Sequence, residues 1–161
     1  MIVIILISIV YYFTINTFNI KTQVKNVNLY NLKEKLLNYG FNNSISLQCI
    51  NDGKLCHILV DGEVIEDTIV NLFDEKPTVY TYDKKLDIID YPSLELNKFD
   101  IFDVCFVYSI NKYQKSNDMI VEVGEKVYIF NSIYNKPTNI EYISDISIYF
   151  DDKIQEVKDA F

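Results

Sequence analysis

From Met1 to Phe13 every side chain except Ser8 is apolar or aromatic, and the first charge is Lys21. Past Asn19 the apolar positions recur at steps of three and four. Ile20, Val24 and Val27 form one run, and Leu29, Leu32, Leu36 and Tyr39 form the next. Lys21, Lys25, Lys33, Glu34 and Lys35 fall between them and face elsewhere. That is the period of a helix with one buried stripe, and Gly40 is a natural C-terminal stop. The spacing predicts one long N-terminal helix, membrane-like over residues 1–20 and amphipathic over residues 21–40.

From residue 41 to 161 the pattern changes to a strand-rich globular domain. Ser44–Ile50 and Leu55–Val60 alternate on either side of Asn51-Asp52-Gly53-Lys54, and Asp-Gly is a strong hairpin signal. Asp61-Gly62 marks a second turn into Glu63–Leu72. Thr78–Asp83 and Leu86–Tyr91 are short predicted strands, with Pro77 and Pro92 excluding central positions there. Phe102–Ile110 is the most apolar strand, and Met119–Val123 and Lys126–Asn131 form a hairpin across Gly124-Glu125. Ile140–Phe150 contains the alternation Ile146, Ile148, Phe150, and the tail from Asp151 to Phe161 has mild helical spacing. A long helix lying on such an antiparallel sheet makes an α+β layer.

The apolar run admits three readings. About 20 apolar residues span a bilayer core, and Met1–Phe13 is shorter. A cleaved signal would need a basic leader and a small-residue cleavage site, and neither is present. A buried core helix is the plainer alternative, although residues 1–13 lack the solvent-facing stripe of a helix packed at a domain's surface. An uncleaved anchor continuous with the amphipathic half fits best, although Lys21 and Lys25 lie on the side that the positive-inside rule would place in the cytoplasm.

Met1-Ile2-Val3-Ile4, continuing into an apolar helix, resembles the helix of the type IV pilin and type II secretion pseudopilin family after its cleavage motif. The likeness implies that Met1 is an internal methionine with a basic leader upstream, which would remove the charge conflict. The family's cleavage glycine and registry glutamate are absent here. The resemblance implies a pilin-like fold and a subunit that assembles with other pilin-like subunits and with secretion, pilus or DNA-uptake machinery. It also implies an inner-membrane, single-pass topology with the domain on the periplasmic or extracellular side. A membrane-anchored binding domain that does not polymerise is the alternative, and an exported enzyme a third.

Composition narrows the chemistry. The chain has no Arg and a net charge of −8, so it lacks the bidentate fork used on phosphates and base edges and repels a phosphate backbone. Direct nucleic-acid binding is disfavoured. Cys49 and Cys56 are equidistant from the Asp52-Gly53 turn, so a tight hairpin sets them opposite each other at disulfide distance, and an exported domain would meet an oxidising compartment; with a shifted register they are instead two buried cysteines acting as small hydrophobes. Cys105 sits in an apolar strand and reads as core. His57, the only histidine, reads as a partly exposed strand residue, and it cannot easily share a metal with Cys56 because neighbours on a strand face opposite sides. No phosphate loop, nucleophile elbow or dinucleotide fingerprint is present, so no catalytic or cofactor-binding residue is expected. Since some pseudopilins bind calcium, and that ion takes clustered oxygen ligands, Asp145, Asp151 and Asp152 are the candidate ligands.

Overall fold

The computed structural model describes residues 26–96 and 99–159. A short helix α1, Leu32–Leu37, precedes ten strands: β1 Ser44–Ile50, β2 Leu55–Val60, β3 Glu63–Val70, β4 Thr78–Tyr80, β5 Leu94–Glu95, β6 Ile101–Phe102, β7 Val104–Asn111, β8 Met119–Val123, β9 Lys126–Phe130 and β10 Thr138–Ile140. A 3-10 turn, Ile143–Asp145, then leads into the helix α2, Ile146–Asp159. The strands form two four-stranded sheets, β3-β2-β1-β7 and β10-β9-β8-β4, and a small ribbon of β5 and β6. Every pairing is antiparallel.

Alternation within strands builds the layers. Ile45, Leu47 and Cys49 of β1 and Phe106, Tyr108 and Ile110 of β7 point inward and meet Val79, Met119, Val121 and Phe130 of the second sheet. The rings of Tyr108 and Phe130 lie 5.4 Å apart and those of Phe73 and Phe106 4.9 Å apart. Intervening residues face outward and find separate covers. Ile50, Leu59 and Val104 pack under Leu94 of the ribbon, while Ile120, Val127 and Ile129 pack under Ile146 of α2. Leu29, Leu32 and Leu36 join the central core, Leu32 and Leu36 fully buried.

The expected α+β, pilin-like fold with its long N-terminal helix is corrected: the domain is mostly β-sheet. Among the described residues the helix reaches only from Leu32 to Leu37. Asparagines explain the interruption. Asn26 has φ 62°, a left-handed conformation that no α-helix contains. The Asn28 carboxamide oxygen accepts the backbone N–H of Tyr30 and Asn31, and that of Asn31 accepts the N–H of Asn28. Such local bonds offer the backbone an alternative to the helical ladder. The apolar spacing at Leu29, Leu32, Leu36 and Tyr39 still faces the core, but as a turn followed by a short helix. Met1–Phe13, with the expected anchor, and the stripe at Ile20 and Val24 lie outside the described residues.

Two other segments differ. The expected strand Ile140–Phe150 is instead the end of β10, a turn and the start of α2, because Ile143, Ile146, Tyr149 and Phe150 also recur at helical steps and pack on one outer sheet face. Leu86–Tyr91 supplies only a single bridge, Tyr80 to Ile88. There the Asp83 carboxylate accepts the N–H groups of Lys85 and Leu86, and Leu86 has φ 57°.

Candidate functional site

The β1–β2 hairpin is fixed by its turn. Asn51 (φ 53°) and Gly53 (φ 83°) take left-handed conformations, and a Cβ on Gly53 would stand 2.9 Å from Cδ of Pro77 and 3.2 Å from the Phe73 ring. Glycine is therefore required both by backbone geometry and by space. The register sets Cys49 opposite Cys56, with Cα atoms 3.9 Å apart, and the two form a disulfide. Both are fully buried.

Cys105 joins this corner by a route no sequence pattern signals. The β1–β7 pairing runs Cys49 to Phe106 and then Ile50 to Val104, so Cys105 is an extra residue in a bulge. Without the bulge, Cys105 and Phe106 would face opposite sides. With it, both face the central core, whereas Val104 and Val107 face the ribbon. The Cys105 thiol donates to the carbonyl oxygen of Cys49 at 3.3 Å. Burial raises its pKa, with Lys76 opposing. Cys105 packs against the central core as expected and is half-buried.

His57 departs from the expected partly exposed position and is buried at 6% exposure, on the face of β2 away from the disulfide. The calcium candidates do not assemble. Asp145 belongs to the 3-10 turn, Asp151 and Asp152 are exposed on α2, and Asp151 forms an ion pair with Lys84. Adjacent helical residues diverge by about 100°, so Asp151 and Asp152 cannot easily converge on one ion. Among the described residues no group of three or more His, Cys, Asp or Glu side chains could hold a metal.

Carboxylates act instead as local fasteners. Asp61, in the two-residue turn with Gly62, accepts backbone N–H groups of Asn42, Asn43 and Ser44 at 2.6–3.2 Å, and these bonds lower its pKa. Asp67 accepts the Tyr39 hydroxyl at 2.9 Å. Burial and that carboxylate push the Tyr39 phenol up to about 12.

The surface offers open grooves. One lies between Asn28–Tyr30, the β3–β4 loop and the β8–β9 turn. Asp74, Glu75, Glu125 and Lys126 line it, and Tyr30 and Tyr128 meet edge to face at 6.0 Å. A second groove runs along α2 beside Tyr134, Lys136, Tyr149 and Lys153. Ile154 and Val157 of α2 are exposed; they continue the core-facing stripe of the helix past the sheet.

Among the described residues no helix is long and apolar enough to cross a membrane. Comparison with protein-family models, curated proteins and solved structures found no match.

Proposed function

We propose that this chain is a non-catalytic binding domain tethered to a membrane by its apolar N-terminal segment and displayed on the oxidising side. The carrying observation is a combination. Met1–Phe13 has no charge and one polar side chain, and the domain that follows is stapled by a buried disulfide. Structural disulfides persist in oxidising compartments. Open grooves with mixed aromatic and acidic walls suit contact with a protein partner, and the net charge of −8 favours a partner with a basic face.

Alkaline extraction of membranes tests the tether. The full chain should stay in the membrane pellet, whereas a variant lacking residues 1–25 should be released. Lysines of the domain should react with a membrane-impermeant amine reagent on intact cells. Full chain in the soluble fraction, or lysines reactive only after lysis, overturns the proposal.

A second reading rests on the pilin-like run Met1-Ile2-Val3-Ile4: copies of the apolar segment pack against one another. Cysteines introduced along residues 1–13 would then crosslink between chains in the membrane at helical intervals. Absence of crosslinks at every position removes that reading.

A further inference from the structure

The three cysteines occupy one corner of the first sheet, Cys49 and Cys56 joined and Cys105 a thiol. Cys49 lies on the central strand β1, with Cys56 across from it on β2 and Cys105 on its other flank in the β7 bulge. Neighbouring strands are about 4.8 Å apart, so Cys49 is one strand from either partner while Cys56 and Cys105 are two strands apart. The Cys105 Sγ rests 3.3 Å from the Cys49 carbonyl oxygen. Gly53 lies beside two of them. Its carbonyl oxygen lies 3.7 Å from the Cys56 Sγ, and the place its missing Cβ would take lies 3.5 Å from the Cys105 Sγ.

We propose that Cys105 is an internal exchange partner for the Cys49–Cys56 disulfide, so that the covalent staple can move from the β1–β2 hairpin to the β1–β7 pair. The Cys105 thiolate attacks the Sγ of Cys49, a Cys49–Cys105 bond forms and the Cys49–Cys56 bond breaks. Cys56 leaves as a thiolate and takes up the proton that Cys105 gave to solvent. One disulfide and one thiol stand on each side, so no oxidant or reductant is consumed. Attack on Cys49 is favoured over Cys56 by strand order alone. The bulge is what brings the thiol to the correct face.

Exchange changes what the staple holds. In the hairpin form the bond closes a local turn that the Asn51–Lys54 loop already defines. In the exchanged form it joins strands distant in sequence, and β2 is held to β1 by pairing and packing alone. The corner is therefore a redox-neutral switch between two covalent topologies of one sheet. This inference is independent of the membrane placement proposed above, since it concerns the purified domain.

Disulfide mapping by mass spectrometry tests it. Oxidised wild type is incubated at mildly alkaline pH with excess iodoacetamide, which traps any thiol irreversibly, and then digested without reduction. The expected result is a fraction of chains carrying alkylated Cys56 and an intact Cys49–Cys105 bond, with the Cys56 adduct lost in Cys105→Ser. Cys56→Ser, held in a glutathione redox buffer, should form the Cys49–Cys105 bond as its only intramolecular disulfide. Alkylation confined to Cys105 in the wild type overturns the proposal. So does Cys56→Ser with Cys49 and Cys105 both unlinked while circular dichroism shows native strand content. If Cys56→Ser does not fold, the wild-type trapping result decides.

Discussion

Reducing the Cys49–Cys56 bond should destabilise the domain by an amount set by the small loop it closes. The two cysteines are separated by 7 positions. In the chain-entropy account a loop of that size restricts the unfolded chain by about 8 cal/mol/K, or ~2.4 kcal/mol at room temperature. The native state should change little, because the hairpin register, the Gly53 turn and the packing around both sulfurs remain. In a domain of this size that corresponds to a fall in Tm of roughly 7–12 °C. The clean comparison is oxidised against reduced protein in a Cys105→Ala background, where the bond cannot move. Urea unfolding followed by circular dichroism gives both midpoint and slope. Coincident curves would refute the assignment of the staple to the unfolded chain's entropy. A loss well beyond ~4 kcal/mol would refute it in the other direction, since the native corner would then depend on the bond.

Three further outcomes follow from individual contacts. Gly53→Ala should cost about 2–4 kcal/mol, combining left-handed backbone strain with the close approach of Pro77 and Phe73. Gly62→Ala, with φ 92° but open space around it, should cost only about 1 kcal/mol; equal urea midpoints for the two variants would contradict the packing argument. Lys33, 3% exposed, donates to the carbonyl oxygens of Ser132 and Tyr134 at 3.1 and 3.2 Å, so Lys33→Met should lose about 2–3 kcal/mol in the same assay. Tyr39 holds its proton more tightly folded than unfolded. Its contribution is intact below about pH 10 and is lost as pH rises through about 12. Tyr91 is likewise pushed up to about 12 by burial, so phenolate absorbance should show a late-titrating component that shrinks by one tyrosine in Tyr39→Phe and partly moves to lower pH in Asp67→Asn.

Strands with turn chemistry on both sides were readable, and helical continuity was not. The hairpins at Asn51–Lys54, Asp61-Gly62 and Gly124-Glu125 each pair a glycine of positive φ with alternating flanks, so register next to each turn followed from local rules, including the opposition of Cys49 and Cys56, while the shift between His57 and Leu59 did not. At residues 26–40 the apolar spacing indicated correctly which residues are buried. It did not show that Asn26 would turn left-handed and that Asn28 and Asn31 would spend their side chains on the backbone and stop the helix. In Ile146–Phe150 the apolar residues satisfy both period two and period 3.6, and the choice was made by the outer sheet face that needed covering. The convergence of Cys105 on the disulfide depends on a one-residue bulge between strands distant in sequence, and no short window contains that information. The candidate calcium ligands failed because proximity in sequence along a helix turns side chains apart.

The Lys33 tie also has a mechanical consequence. It joins α1, the first helix of the described chain, to the loop between β9 and β10, positions 99 and 101 residues away. Its neighbours Leu32 and Leu36 sit in the core between the two sheets. Tension entering at residue 26 therefore meets one ammonium group clamped to the second sheet and two leucines wedged beside the first. A tensile load on the leading end is shared across the whole sandwich, so the domain should yield in a single rupture instead of unravelling strand by strand.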